Sequence, residues 1–325
     1  MSPGARPGQD AGMTTVAPSV RTVPAPVAAL LAFALALGAA GCREPAPPAG
    51  AATDPVQAVA VLTAHLRAND LHGFAKDAVP ESLHPGLAAA WRSGRSRWPL
   101  EELPFDQRIP GMLGALAADG AEPRLRRSFD QQFANAHAEI RSAAETLSLF
   151  GVKYLQNDAS LSPEERNHYV QLVEALGVWA AEAKLGDPQR ARGAITRLAM
   201  AARHAGVREE ADLARLGMDE SLRRLGPMFG AFKVCLRDYG LDLDQSLDGM
   251  QLSLERQDGD RALVRLRYPL AGRTIDTLVA VERVDGHWYL SDFLRHARAA
   301  AAPAPPDAPP VAPPGSTTSA KPTSS

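Results

Sequence analysis

A chain of 325 residues with 35 lysines and arginines against 37 aspartates and glutamates is close to neutral, and 45% of it is hydrophobic, enough for a sizeable core. This balance excludes the strongly basic field that gathers nucleic acid, so no nucleic-acid partner is expected. With only two cysteines, a disulfide-framed mini-fold is excluded as well.

The first feature along the chain is the uncharged run Val27 to Ala40, V-A-A-L-L-A-F-A-L-A-L-G-A-A. It has the length of a secretory h-region and falls short of the roughly 20 apolar residues that span a bilayer. It runs into L-G-A-A-G-C, Leu37 to Cys42. That hexapeptide resembles the lipobox of bacterial lipoproteins, in which small residues precede an obligatory cysteine. The resemblance implies cleavage before Cys42 and a diacylglycerol on its sulfur, making residues 1–41 a lipoprotein signal peptide and Cys42 the lipid attachment site. Ala39 departs from the pattern, since the family more often has leucine there. The basic n-region is thin, with Arg6 and Arg21 offset by Asp10, and initiation at Met13 would leave a more ordinary signal. In Gram-negative lipoproteins an aspartate after the cysteine tends to retain the protein at the inner membrane. Here that residue is Arg43, so the resemblance implies the outer membrane, facing the periplasm. Several acyl chains at about 0.8 kcal/mol per buried methylene make such an anchor effectively permanent. Cys235 is then left without a partner, and Phe229, Phe232, Leu236 and Tyr239 around it at helical spacing point to buried packing.

Residues 42–52 read as a flexible Pro/Ala/Gly tether, and 299–325 as a disordered Pro/Ala/Ser tail. Between them, 53–240 reads as a helical region. Thr53-Asp54-Pro55 starts a helix with Val56, Val59, Leu62 and Leu66 on one face, ending at Asn69-Asp70. Five prolines break up 78–120 into short helices and loop. Leu125, Phe129, Phe133, Ile140, Leu147 and Phe150 recur at three- and four-residue steps and predict one long helix from about Pro123 to Tyr154, the spine of the domain. Ser162-Pro163-Glu164-Glu165 carries a capping box and opens a helix to about Leu185; Asp187-Pro188 opens another to about His204. No second copy of this pair appears, which rejects a solenoid. A last helix is expected from Asp219 to Tyr239, kinked or split at Pro227.

From Met250 the hydrophobic period becomes two, and residues 241–298 read as an antiparallel sheet of the same domain. Matching apolar faces in the first hairpin sets Leu254 opposite Val264 and asks for an odd loop, Asp258-Gly259-Asp260. A two-residue tip at Ala271-Gly272 pairs Tyr268 with Ile275, Val264 with Val279, Arg267 with Asp276 and Arg261 with Glu282, so apolar faces and charge signs agree on one register. Asp285-Gly286 then pairs Val281 with Leu290. The fold class is therefore α+β, a helical body closed by a C-terminal four-stranded meander. The strands, with V-D-G and W-Y near their end, and the opening P-V-Q-A-V-A-V-L-T-A-H-L-R-A-N-D-L-H-G-F-A are similar to the nuclear transport factor 2-like superfamily, whose concave sheet face lines a ligand pocket. The similarity covers residues 54–78 and 245–296.

No catalytic signature accompanies this architecture. The eight histidines show neither H-x-x-x-H nor H-E-x-x-H spacing, and the G-x-S-x-G elbow, the phosphate loop and the dinucleotide fingerprint are missing. No metal, no cofactor and no catalytic residue is expected. Two segments are candidate binding surfaces. In W-R-S-G-R-S-R-W, Trp91, Arg92, Arg95, Arg97 and Trp98 either form an anchor for anionic or acidic partners or, as such segments more often do, a solvated loop whose tryptophans turn inward. Leu263, Leu278, Tyr289 and Phe293 make the second face of the sheet partly apolar, so a partner, a ligand or another part of the chain covers it. The reading is a lipid-anchored, non-enzymatic module that binds an envelope protein or small ligand. An inhibitor of a periplasmic toxin and a cryptic hydrolase are the alternatives.

Overall fold

The computed structural model describes residues 52–102 and 109–303; Cys42, the signal segment, most of the tether and positions 304–325 of the tail lie outside them. The described residues form eleven α-helices and one four-stranded antiparallel sheet near the C-terminal end, an α+β fold around a single contiguous core.

Helix α1 (Pro55–Ala68) begins where Asp54 Oδ1 accepts from the amides of Val56 and Gln57, and it buries Ala58, Val59, Leu62 and Leu66. It ends at Asn69 in the left-handed region, φ 60°, and Asp70 caps α2 (Leu71–Asp77) through the Gly73 amide at 2.8 Å. The chain continues through α3 (His84–Ser93) and α4 (Ile109–Ala117). The long helix expected over 123–154 is two helices, α5 (Ala121–Gln132) and α6 (His137–Asn157). Asn135 adopts φ 60° at the break and donates its amide to Gly186 O at 2.9 Å, so the chain turns to dock on the loop at 186. Asparagine tolerates this conformation at little cost. The consequence is that α6 packs mainly on α7 (Pro163–Glu182) and is no spine of the domain.

Helices α7 and α8 (Pro188–Ala205) start at the capping box of Ser162 and Glu165 and at the Asp187 cap, as the sequence implies. Helix α9 (Glu210–Asp238) starts earlier than expected. Its break is at Gly217, φ 77° and ψ 173°, whereas Pro227 sits inside the continuing helix. A side chain at Gly226 would strike the Asn69 carbonyl, and one at Gly230 would crowd the Asn69 amide, so these glycines let the end of α1 lie directly on α9. One turn further, the buried Lys233 ammonium donates to the carbonyls of Leu66 and Arg67, both at 3.1 Å, and pairs with Asp244 at the start of α10 (Leu243–Asp248). Cations are favoured at a helix C-terminus, where the last carbonyls lack intrahelical donors.

Strands β1 (Gln251–Asp258), β2 (Arg261–Leu270), β3 (Arg273–Val284) and β4 (His287–Leu290) pair in sequence order. The register is the one that parity demands: Leu254 faces Val264, Tyr268 faces Ile275, Arg267 faces Asp276 and Val281 faces Leu290. The first hairpin reaches it by another route. Asp258 pairs with Arg261 across a two-residue tip, and a bulge between Leu254 and Arg256 supplies the odd residue. The bulged Glu255 binds Arg265 in a bidentate pair.

Strand β4 covers only residues 281–284 of β3. Beyond it α7 takes over the edge: Gln171 donates to Asp276 O at 2.9 Å and accepts from Asp276 N at 3.0 Å, imitating a strand partner. His168, three residues earlier on α7, hydrogen-bonds the Tyr268 hydroxyl at 2.6 Å in the core, and burial pushes this imidazole down to about 4. Ala52 O accepts from Trp288 N at 2.8 Å, so the residue assigned to the end of the tether already belongs to the body. After Leu290 the chain turns into α11 (Ser291–Ala301), which contains Phe293, expected as strand, and residues 299–301, expected as tail. Leu294 and Ala297 are buried while Arg295 and Arg298 face outward, a helical stripe that the short apparent alternation at W-Y-L-S-D-F-L concealed.

Arg267 Nε lies 3.2 Å from Asp276, which Arg265 also contacts at 2.8 Å, all on the exposed face. A double-mutant cycle between Arg267 and Asp276 in urea denaturation is expected to give a coupling of about 0.2–1 kcal/mol. A coupling of zero within error would deny the pair any part in setting the register.

Candidate binding surfaces

The W-R-S-G-R-S-R-W segment is an internal knot. Trp91 and Trp98 are 0% and 2% exposed, and Trp91 Nε1 donates to Leu213 O at 3.0 Å, joining α3 to α9. Gly94, φ 74°, turns the chain so that Ser96 to Leu100 fold under α3. The Arg97 guanidinium, 8% exposed as a residue, lies 5.4 Å over the Trp91 ring, donates to Trp91 O and pairs with Glu210 at the start of α9. Of the five residues, only Arg92 and Arg95 are exposed, and Arg95 donates to Ala302 O at 2.6 Å, fastening the end of α11. Trp91, Arg97 and Trp98 are therefore corrected from anchor surface to interior, the tryptophans having turned inward as the alternative reading has it, while Arg92 and Arg95 stay at the surface.

The second candidate fares the same way. Tyr289 is buried, and Phe293, on α11 rather than on the sheet, meets Phe74 edge-on at 5.7 Å between centroids. On the same face of the sheet as Tyr289, Leu263 and Leu278 are half-buried, and a groove of about 300 Å³ lined by Pro163, Asn167, Arg265 and Asp276 runs beside the start of α7.

The apolar surface lies on α6. Ile140 and Ala144 face α7, where Gly177 and Gly151 admit Ser148 and Val173 at close range. Leu147, Phe150 and Tyr154, at helical spacing, are 39%, 70% and 70% exposed, and Leu149 is 71% exposed. Phe150, Lys153, Tyr154, Asn157, Asp158 and Ala159 line an open groove of about 530 Å³. The sequence places Leu147 and Phe150 on the apolar face of a helix expected to be the spine of the domain, and periodicity reveals that residues share a face without revealing what covers it.

Two clusters of charge sit elsewhere. His65 lies 3.0 Å from Asp70 and 2.8 Å from Asp77, locking α1 to α2. His296 on α11 lies between Glu102 and Glu165, with Arg295 and Asp292 beside them. Among the described residues no group of three or more His, Cys, Asp or Glu side chains is arranged to hold a metal, and no helix is long and apolar enough to cross a membrane. Cys235 is buried and its thiol is pushed up by that burial. No protein-family model, no curated protein and no solved structure matches the chain.

The internal role of Arg97 separates it from its neighbours. Arg97→Ala removes the guanidinium that pairs with Glu210 and covers the Trp91 ring, leaving the Trp91 carbonyl only the Gly94 amide at 3.2 Å. It is expected to cost about 3 kcal/mol in chemical denaturation, while Arg92→Ala is expected to stay within about 0.5 kcal/mol. Equal small effects would return the segment to the surface.

Proposed function

We propose that this chain is a lipoprotein of the bacterial outer membrane, anchored through Cys42, whose body faces the periplasm and binds an envelope protein through α6. The address rests on L-G-A-A-G-C followed by Arg43. Because Ala52 is already tied to Trp288, only residues 43–51 separate the lipid from the body. At about 3.3–3.6 Å per extended residue the body stays within roughly 35 Å of the membrane. A partner embedded in or lying on that membrane is within reach.

The binding role rests on one observation, the exposed row of Leu147, Phe150 and Tyr154 with Leu149 beside it. Isolated exposed apolar residues are ordinary, but a contiguous row of large ones on one helix marks an interaction surface. Its i, i+3, i+7 spacing is that of helix-on-helix recognition, with aromatic residues as the anchors.

Cys42→Ser is expected to abolish acyl labelling in cells and to shift the protein out of the membrane fraction, because the modified sulfur is the anchor. Labelling equal to that of the unchanged protein would overturn the address. A photo-crosslinking side chain at position 150 is expected to yield a discrete envelope adduct that the same probe at exposed Arg127 does not. Equal patterns, or turnover of a peptidoglycan or ester substrate by the purified body, would overturn the binding role.

A further inference from the structure

Helix α11 is the last described element before residues 304–325, and its inner side holds Leu294 and Ala297 in the core and Phe293 on Phe74. Its end lies against α3, where Gly86 makes room for Ala301 and Arg95 holds the Ala302 carbonyl. At its other end a polar cluster replaces apolar packing. His296 Nδ1 stands 3.0 and 2.9 Å from the two Glu102 oxygens, and its Nε2 lies 3.9 Å from Glu165. Arg295 reaches Glu165 at 2.8 Å and Asp292 at 2.9 Å, and Ser162 Oγ donates to Asp292 at 3.1 Å.

The charged groups around His296 are therefore Glu102 from the turn at residues 100–102, Glu165 from α7 and Arg295 from its own helix, with Asp292 and the partly buried Tyr169 bordering the same cluster through Arg295, Glu102 and Glu165. Three carboxylates meet one permanent cation. Only Nδ1 is within hydrogen-bond distance of a carboxylate, Glu102, while Glu165 at 3.9 Å from Nε2 acts through its charge, and two carboxylates on either side of one ring favour the imidazolium. We propose that His296 is a proton-operated clasp that holds α11 down in mild acid and slackens it as the pH rises through neutrality.

The shifts agree in sign. The hydrogen bond to Glu102 raises His296 above its ordinary 6.5, so its contribution is fully present below about 6.5 and is lost as the pH climbs through the higher folded value. Burial raises Glu165 above 4.5, so ionising it also costs the folded state as the pH rises. The core His168 works in the opposite sense: held neutral down to about 4, it withdraws stability as the pH falls below 6.5 and leaves the range above about 7 to His296. Slackening would uncover Phe74 and Phe293 and free the point from which the C-terminal segment departs.

The test is hydrogen exchange of residues 291–301 in the purified full-length protein between pH 6.0 and 8.5, corrected for intrinsic rates, with α9 peptides as reference. Protection of α11 relative to α9 is expected to fall, by about tenfold for each unit by which the folded pKa exceeds 6.5. His296→Gln is expected to flatten that dependence, and Glu102→Gln to move its midpoint to lower pH. Wild-type protection that does not change with pH, or an unchanged dependence in His296→Gln, would overturn the clasp. Should His296→Gln fail to fold, an NMR titration of His296 in the wild type decides, because a midpoint at or below 6.5 contradicts the proposal.

Discussion

Lys233 lies in the interior with its ammonium on the last carbonyls of α1, above the Phe229 ring and beside Asp244. Much of the molecule is arranged to make this possible. Gly226 brings the Asn69 turn onto α9 at a distance no side chain would allow, Gly230 leaves close room for the Asn69 amide, and Asn69 itself takes the left-handed conformation that presents the carbonyls. Burial lowers the lysine's pKa, so the ammonium is held there against its own desolvation. Replacing both members of a buried pair of this kind by well-packed apolar groups costs little, whereas removing the lysine alone leaves the Arg67 carbonyl and most of the Asp244 charge uncompensated. It therefore fixes where α1 sits on α9, and through Asp244 where α10 leads into the sheet.

The sheet depends on that placement, since α1 and α10 pack on its inner face while α7 closes what remains. The Gln171 amide stands in for a missing strand beside Asp276, Asn167 reaches Thr277 at 3.2 Å, and His168 meets Tyr268. Helix α7 thus seals an edge that would otherwise offer unpaired backbone to another chain. With its inner side spent on the sheet and one flank on α6, α7 leaves α6 as the outermost helix, its far face without a covering element among the described residues. The exposure of Phe150 and Tyr154 follows from this layering.

Strand register was legible because a period of two allows only two answers, and both the apolar faces and the charge pairs around Arg267 and Asp276 select the same one. What parity could not say was whether an odd loop or a bulge supplies the extra residue; the bulge at Glu255 did. Capping signals at Asp54, Ser162 and Asp187 were equally readable, being local. The break at Asn135 was hidden because it depends on Gly186, some 50 residues away, and apolar spacing continues across it. Trp91 and Trp98 were ambiguous for a related reason: a basic-aromatic segment looks the same whether its partner is another molecule or Leu213 of the same chain. Helix α11 was missed because its first residues continue the alternation of β4. The α6 surface was misplaced for want of any local signal of what covers a helix.

The address proposed for Cys42 rests on the sequence motif alone, whereas the interior at Lys233 governs whether the body folds at all. Urea denaturation of Lys233→Met tests it most directly. The substitution keeps most of the apolar stem while removing the buried donor from the Arg67 carbonyl and Asp244, with only Arg67 at 3.5 Å left on Asp244 and the Asn69 amide on the Leu66 carbonyl. A loss of about 3–5 kcal/mol is expected, the range for breaking a buried pair on one side. A change within about 0.5 kcal/mol, the range of an ordinary surface substitution, would contradict it.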